Sequence, residues 1–186
     1  MNDEVEKSVN LAGLKYSLMR IRNAFDKPLL IKNMNCALRM QSLAKVVPNA
    51  LFIVTHRDMA EMGHSLLEVR KKIHGDYQTW WSMEPSNIDI LKTLSPAEQV
   101  VGQCQQIYAD IEEGKKWFKP SQFCEVDYDA LCERPMECMG KIAAWIEDYG
   151  VKRREDWDSL PNKFEKRQEV RIPQDLWDAL QVQVDG

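Results

Sequence analysis

The chain has 186 residues, of which 44% are apolar and 29% charged, and this composition is typical of a globular domain that buries roughly 70% of its unfolded surface. Its net charge of -4 gives no general attraction to nucleic acid or to an acidic membrane, so any anion site must be local. The five cysteines are an odd number without a CxxC pair, which argues against a disulfide framework and a zinc cluster.

The sequence shows no export signal and no membrane-spanning segment. The beginning, MNDEVEK, is acidic and lacks an apolar core, and the longest purely apolar run, residues 50–54, is far too short to span a bilayer. We therefore expect a cytoplasmic protein with no membrane or nucleic-acid partner. We expect one domain over residues 1–186, with a core at 26–150 and a charged carboxyl-terminal tail at 151–186.

Residues 3–25 are predicted to form a helix that is apolar on two sides. One apolar series contains Val5, Val9, Ala12, Tyr16 and Met19, and the other contains Leu11, Leu14, Leu18, Ile21 and Phe25. A helix with two apolar sides must be covered on both. We expect it to pack on a sheet and also to contact another element or a second subunit.

The next residues predict two strands that each end in a cation. Residues 29–31 form the first predicted strand, which Lys32 closes, and Asn33 or Asn35 caps the helix that follows. Residues 50–54 lack polar alternation, as expected for an interior parallel strand, and Arg57 follows them. Because ligands bind outside the carboxyl ends of parallel strands, the two cations indicate a phosphate or sulfate site.

The remainder alternates helices with one further strand. Apolar periodicity predicts helices at residues 58–73 and 135–149, and a capping box at Ser95 with Glu98 predicts a helix from Pro96. Residues 74–94 form an irregular, partly helical excursion, residues 122–126 a third strand, and a short helix follows Pro173. No internal repeat is present.

Several polar and aromatic residues permit both a functional and a structural interpretation. His56 faces away from Arg57, so burial against a helix is the better interpretation than catalysis. His64 lies one turn from Glu61 and Glu68 but has no third ligand, which favours solvated ion pairing over a metal site. Trp80 and Trp81 are suited to stack on a sugar or apolar acceptor, but one tryptophan is equally suited to anchor the excursion to the core.

Residues 28–67, PLLIKNMNCALRMQSLAKVVPNALFIVTHRDMAEMGHSLL, resemble the sulfotransferase superfamily, in which a strand ending in RDPxxxxxS follows a KxPxN-like strand end. Arg57 and Ser65 stand eight apart, as in that motif. The resemblance implies that both hold the 3'-phosphate of 3'-phosphoadenosine 5'-phosphosulfate, the sulfonate donor, and that Lys32 assists transfer. A salt bridge from Arg57 to Asp58 or Glu61 is the structural alternative.

A second match covers residues 126–150 and is carried by Tyr128, Asp129, Leu131 and Pro135, which resemble the family's YEDL strand end and closing helix. The resemblance implies a three-layer α/β fold related to nucleotide kinases, with a parallel sheet flanked by helices. It also implies a nucleotide donor and a small-molecule or glycan acceptor, with no metal.

The chain departs from the family pattern at the amino-terminal side. None of its glycines forms the Gly-rich strand-to-helix turn that cradles the 5'-phosphosulfate, so we expect a carboxyl-terminal portion lacking the first strand and phosphate loop. A truncated reading frame and completion by another polypeptide both stay open. Met34 stands where cytosolic relatives place the catalytic histidine, and Met59 replaces proline after RD. Nucleotide contacts from Lys163, Lys166, Arg167 or Arg171 are compatible with the sequence.

Two functional hypotheses follow. The first is sulfonate transfer to an acceptor hydroxyl or amine, with the base unassigned and weak or no activity from a monomer of this chain. The second is a non-catalytic binding or assembly module, in which residues 3–25 form a homodimer interface. A nucleoside-phosphate kinase is disfavoured, because it needs the same missing loop and a magnesium site that the sequence does not provide.

Overall fold

The computed structural model describes residues 10–151, 159–166 and 169–185, which form a mixed α/β structure dominated by helices. In chain order these residues form α1 (Leu11–Phe25), a 3-10 helix (Met34–Arg39), α2 (Met40–Val46), β1 (Phe52–His56), α3 (Met59–His74), α4 (Ile88–Leu91), α5 (Pro96–Lys115), a second 3-10 helix (Pro120–Gln122), β2 (Phe123–Asp127), α6 (Tyr128–Glu133), α7 (Pro135–Glu147) and α8 (Gln174–Asp185). The predicted helices at 58–73, from 96, at 135–149 and after 173 are confirmed within a few residues.

The sheet of the described residues has two strands, β1 and β2, which pair in parallel from Phe52↔Phe123 to His56↔Asp127. This register brings the residues after each strand to the same edge of the sheet. The expectation that 50–54 is an interior strand covered on both faces is wrong. The strand begins at Phe52, and Ile53 is 43% exposed, because this sheet supplies only one neighbouring strand.

The predicted strand at residues 29–31 is also wrong. Residues 28–33 have no regular secondary structure, and Leu30 is 89% exposed. Three consecutive large apolar residues favour a strand locally, but a strand also needs a hydrogen-bonding partner, and neither β1 nor β2 pairs with this segment. Asn33 does cap the following 3-10 helix, since its Oδ1 accepts from the Asn35 amide at 3.0 Å.

The hydrophobic core lies between α3, α5 and α8. Its fully buried members include Leu67, Val100 and Leu180, one from each helix. Gly63 allows α3 and α8 to approach, because a Cβ atom at this position would lie 2.7 Å from Leu180 Cδ1. Helices α3 and α5 lie between β1 and β2 in the chain, and they pack against each other. They thus form the connection between the two parallel strands.

A buried arginine ties the 74–94 excursion to this core. Arg70 is fully buried, and its Nη1 donates to Gln99 Oε1 at 2.7 Å and to the Tyr77 carbonyl at 3.3 Å. Gln103 Nε2 donates to the carbonyls of Trp81 and Met83. Burial lowers the pKa of Arg70, because the charged form is desolvated. The excursion is therefore held by polar groups with little solvent access.

Helix α1 is the least covered helix of the described residues. The prediction of a helix with two apolar sides is confirmed for residues 11–25, and residues 3–9 lie outside the described part. Leu14 and Leu18 are partly buried, whereas Tyr16 and Met19 are 63% and 51% exposed. The main contact of α1 is with α2 of the same chain rather than with the sheet, and both apolar series keep exposed members, since Phe25 is 71% exposed.

Among the helices that the structure describes, none is long and apolar enough to cross a membrane. All five cysteines are free thiols, and burial raises the pKa of Cys104 to about 12.

Candidate functional site

The candidate site lies at the carboxyl edge of the parallel strands and begins at Arg57, the first residue after β1. Asp58 ends the extended segment and caps α3, with its Oδ1 accepting from the Glu61 amide at 2.9 Å. This cap fixes the turn from strand to helix even though Met59 stands where the family pattern has proline. Arg57 is thereby held at the strand exit, as predicted.

The Arg57 guanidinium is held on two sides. Its Nε donates to Glu61 Oε2 at 2.8 Å, and its central carbon lies 4.4 Å from the centre of the Tyr128 ring, which follows β2. The side chain is 29% exposed. Among the described residues no acceptor contacts the two terminal nitrogens. The salt bridge from Arg57 to Glu61, one of the two structural alternatives to a phosphate contact, is therefore present. It uses one of the five guanidinium donors.

Ser65 lies one helical turn beyond Glu61 on α3, and residues four apart share a helix face. Ser65 is partly buried, and its hydroxyl makes no hydrogen bond within the described part of the chain. Arg57 contacts Glu61, and Glu61 neighbours Ser65. The free hydroxyl therefore lies on the same face of α3 as the carboxylate that Arg57 contacts.

A second cation reaches this edge from the carboxyl-terminal segment. Lys166 Nζ lies 2.5 Å from Asp129 Oδ1 and 3.6 Å from Glu61 Oε1. The hydrogen bond with Asp129 raises the pKa of Lys166, partial desolvation opposes this, and Glu61 raises it further. Sequence reasoning gave Lys166 only as one of four candidates, because nothing in its surroundings marks where a loop residue folds back.

Tyr128 provides a platform for Arg57. A hydrogen bond with Cys132 raises the pKa of Tyr128, burial adds to this effect, and the Arg57 charge opposes it. The phenol therefore stays protonated at neutral pH. Its aromatic face offers the guanidinium a cation–π contact that fixes the plane of the donors.

This arrangement is suited to bind an oxyanion. The unused guanidinium nitrogens of Arg57 supply paired charged donors, the Ser65 hydroxyl supplies a neutral donor, and Lys166 adds positive charge. Glu61 and Asp129 balance the two cations, so a phosphate at this edge would have to share or displace the contact of Arg57 with Glu61.

Lys32 does not lie at the end of a strand, where the sequence predicted it. It lies on the exposed segment 28–33, which forms no strand, so it does not close a strand beside Arg57. Its assistance to sulfonate transfer stays a prediction.

The two tryptophans divide the roles that the sequence left open. Trp80 lies 5.1 Å from the Arg70 guanidinium carbon, and its Nε1 donates to the Met83 carbonyl at 3.2 Å. Trp81 is 37% exposed and packs its ring edge-on against His74. Trp80 therefore anchors the excursion, and Trp81 keeps a face available to solvent.

His56, Glu125 and Lys115 form a polar cluster on one face of the sheet, which the sequence did not predict. His56 Nε2 donates to Glu125 Oε2 at 2.5 Å, and Lys115 Nζ donates to Glu125 Oε1 at 2.6 Å. Burial alone would raise the pKa of Glu125, but Lys115 and His56 together lower it. The predicted burial of His56 is wrong, since its side chain is 44% exposed, although its ring does stack on Tyr108 of α5. Only the pairing of β1 with β2 puts His56 and Glu125 on one face.

His64 pairs with Glu68 at 3.8 Å, and its Nε2 accepts from the Arg171 amide at 3.0 Å. The pairing with Glu68 is as predicted, but the His64 side chain is 14% exposed and so is mostly buried rather than solvated. Within residues 10–151, 159–166 and 169–185 no group of three His, Cys, Asp or Glu side chains is arranged to hold a metal.

Of the other candidates for nucleotide contacts, Lys163 is exposed, and Arg167 lies outside the described residues.

Comparison with known proteins gives one match. The family model described as "Sulfotransferase family" matches residues 4–148. No curated protein and no solved structure matches the chain. The matched range includes Arg57, Ser65, Trp80 and Trp81, whereas Lys166 lies beyond it.

Proposed function

The chain belongs to the sulfotransferase family, and we propose that it binds 3'-phosphoadenosine 5'-phosphosulfate by its 3'-phosphate, through Arg57 and Ser65, for transfer of the sulfonate to an acceptor hydroxyl or amine. The proposal rests on the position and the unused donors of Arg57. It stands at the carboxyl edge of two parallel strands, fixed by Glu61 and Tyr128, with its terminal nitrogens free of acceptors in the described structure.

The charges around Arg57 suit a dianionic group. The ammonium of Lys166, 3.6 Å from Glu61 Oε1, lies near enough to add to the field at the same edge. When a phosphate binds, the Glu61 carboxylate keeps the Arg57 Nε and the phosphate takes the outer nitrogens. Residues at the carboxyl ends of parallel strands hold ligands in many α/β proteins, which agrees with this placement.

The chemical step needs groups beyond this phosphate site. Sulfonate transfer proceeds in line: the bond from sulfur to the bridging phosphate oxygen breaks, the acceptor oxygen or nitrogen forms a new bond to sulfur, and adenosine 3',5'-bisphosphate leaves. Lys32 is proposed to neutralise the leaving phosphate, and Trp81 to stack on the acceptor. The base that takes the acceptor proton is not assigned.

Isothermal titration with adenosine 3',5'-bisphosphate tests the phosphate site. Arg57→Ala should weaken binding by roughly 10- to 100-fold, because charge-assisted hydrogen bonds contribute about 1.5–3 kcal/mol. Arg134→Ala is the matched control, since Arg134 also follows a strand–helix unit and pairs with a carboxylate, Glu137, at 3.2 Å. No binding by the wild-type chain, or equal binding by both variants, contradicts the proposal.

A second candidate function is assembly, and the exposure of α1 favours it. Tyr16 and Met19 of one apolar series are 63% and 51% exposed, Phe25 of the other series is 71% exposed, and no residue of α1 is buried. Exposed apolar surface on a helix is a common feature of interaction sites in soluble proteins. We therefore propose that the chain self-associates through the helix predicted at residues 3–25, of which residues 11–25 are described.

A further inference from the structure

We propose that the amino-terminal arm, defined as residues 10–33, docks into a groove between α4, α5 and α8 of a second copy of the chain, and that the exchange is reciprocal. This inference rests on the proposed self-association and names the surface that receives the arm. It does not depend on the phosphate site at Arg57.

The arm combines positive charge with exposed apolar side chains. It contains five lysines and arginines and a single acidic residue, Asp26, in a chain whose net charge is -4. Leu30 is 89% exposed and Phe25 71% exposed. Helix α1 has 15 residues and so is about 22 Å long, enough to lie along a neighbouring surface. A surface that is both apolar and acidic would be complementary to an arm of this composition.

The groove combines apolar and polar side chains. Its volume is about 430 Å³, and its lining includes Leu91, Leu94 and Val101 together with Glu98 and four Asn or Gln side chains. Ile90 on α4 and Val182 on α8, the sequence neighbours of lining residues, are 66% and 67% exposed. Two of the helices that form the groove therefore also carry exposed apolar side chains.

The charge around the groove is mostly negative. Residues 84–115 and 174–185, which contain the three surrounding helices, carry nine acidic residues and two lysines. Both lysines are ion-paired, Lys92 with Glu84 at 3.1 Å and Lys115 with Glu112 and Glu125 at 2.6 Å. Among the residues lining the groove, Glu98 is the charged one. The arm and the groove are thus complementary in both charge and apolarity, as in helix-in-groove recognition.

Reciprocal exchange accounts for the geometry of association. If the arm of each copy enters the groove of the other, the two contacts are related by a two-fold axis and the assembly closes as a dimer. A single contact would leave one arm and one groove open and would continue into a chain of molecules. Two contacts also double the buried area, which brings the interface toward the size of stable dimers.

A charge-exchange experiment by light scattering after gel filtration tests this assignment. The arm variant carries Arg20→Glu and Arg22→Glu, and the groove variant carries Asp89→Lys and Asp178→Lys; all four positions are exposed. Each variant alone faces like charges in a dimer, which should weaken self-association by roughly 100-fold. An equimolar mixture should restore a dimer, because each arm then meets a groove of opposite charge. Arg134→Glu with Lys141→Glu changes the net charge as the arm variant does and should leave the dimer intact.

The outcomes separate the two proposals. A wild-type dimer that is unaffected by the substitutions, or variants that do not recover on mixing although circular dichroism shows them folded, overturns the arm–groove assignment and leaves self-association standing. A wild-type monomer at 100-fold the working concentration overturns both. Binding of that monomer to vesicles of anionic lipid, lost in the arm variant, would identify a membrane surface as the occupant instead.

Discussion

The central carbon of the Arg57 guanidinium lies 4.4 Å from the centre of the Tyr128 ring, although the two residues are far apart in the chain. The parallel register of β1 and β2 explains this contact. His56 pairs with Asp127, so the next residue of each strand must emerge at the same edge. The contact orients the guanidinium donors, which would reduce the cost of ordering them if an anion binds there.

Removing the aromatic ring should loosen this orientation. Tyr128→Leu is expected to weaken binding of adenosine 3',5'-bisphosphate by about two- to fivefold, in keeping with an exposed cation–π contact of about 0.5–1 kcal/mol. Tyr128→Phe keeps the ring and should bind as the wild type does. Titration calorimetry on both variants measures the difference, and equal loss in the two would assign the effect to the hydroxyl instead.

Neutralising Glu61 should strengthen phosphate binding. The carboxylate holds Arg57 Nε at 2.8 Å and adds a negative charge beside the proposed phosphate position. Glu61→Gln keeps an oxygen acceptor for Nε but removes that charge, so we expect roughly threefold to tenfold tighter binding of adenosine 3',5'-bisphosphate. The gain should shrink as salt is added. Weaker binding by this variant would show that the full charge of Glu61 is needed to position Arg57.

The buried Arg70 should be important for stability. Arg70→Ala leaves Gln99 Oε1 and the Tyr77 carbonyl without their donor and opens a cavity under Trp80, so the free energy of unfolding should fall by about 2–5 kcal/mol. Urea unfolding followed by tryptophan fluorescence measures it. The exposed Arg134→Ala variant should change stability by less than about 0.5 kcal/mol. A loss for Arg70→Ala as small as that of this control would contradict the account of the excursion.

The Glu125 cluster predicts a pH dependence with a definite sign. Lys115 and His56 lower the folded pKa of Glu125 below its ordinary value of 4.5, so the stability that Glu125 contributes is complete above pH 4.5 and is lost as the pH falls through the lowered value. Because the side chain is 42% exposed, we expect less than about 1 kcal/mol. Thermal unfolding of Glu125→Gln against wild type should show a difference near pH 6 that vanishes toward pH 2. A difference that grows in acid would contradict it.

The elements that the sequence predicts well are those with a strong local signal. The capping box at Ser95 and Glu98 places the start of α5, and the regular apolar spacing after Asp58 predicts α3. The exit of Arg57 from β1 is also confirmed, because the strand and the cap both lie within a few residues of it. These features depend on neighbours in the chain.

The features that the sequence does not predict depend on contacts between distant residues. Leu29, Leu30 and Ile31 have the composition of a strand, but no strand of the described chain pairs with them. Lys166 reaches the Arg57 edge only because residues 164–166 lie against α6, where Lys166 pairs with Asp129. The Glu125 cluster likewise requires knowing that β1 lies beside β2. A single sequence contains no direct record of such pairings.

We propose that Arg57 is the main contact of the 3'-phosphate of the donor nucleotide, and binding of two nucleotides to the wild-type chain and to Arg57→Ala tests this assignment. We predict that the wild-type chain binds adenosine 3',5'-bisphosphate at least tenfold more tightly than adenosine 5'-phosphate, and that in Arg57→Ala this preference falls to about the few-fold that the Ser65 hydroxyl can supply. A preference for the bisphosphate that persists unchanged in Arg57→Ala would contradict the assignment.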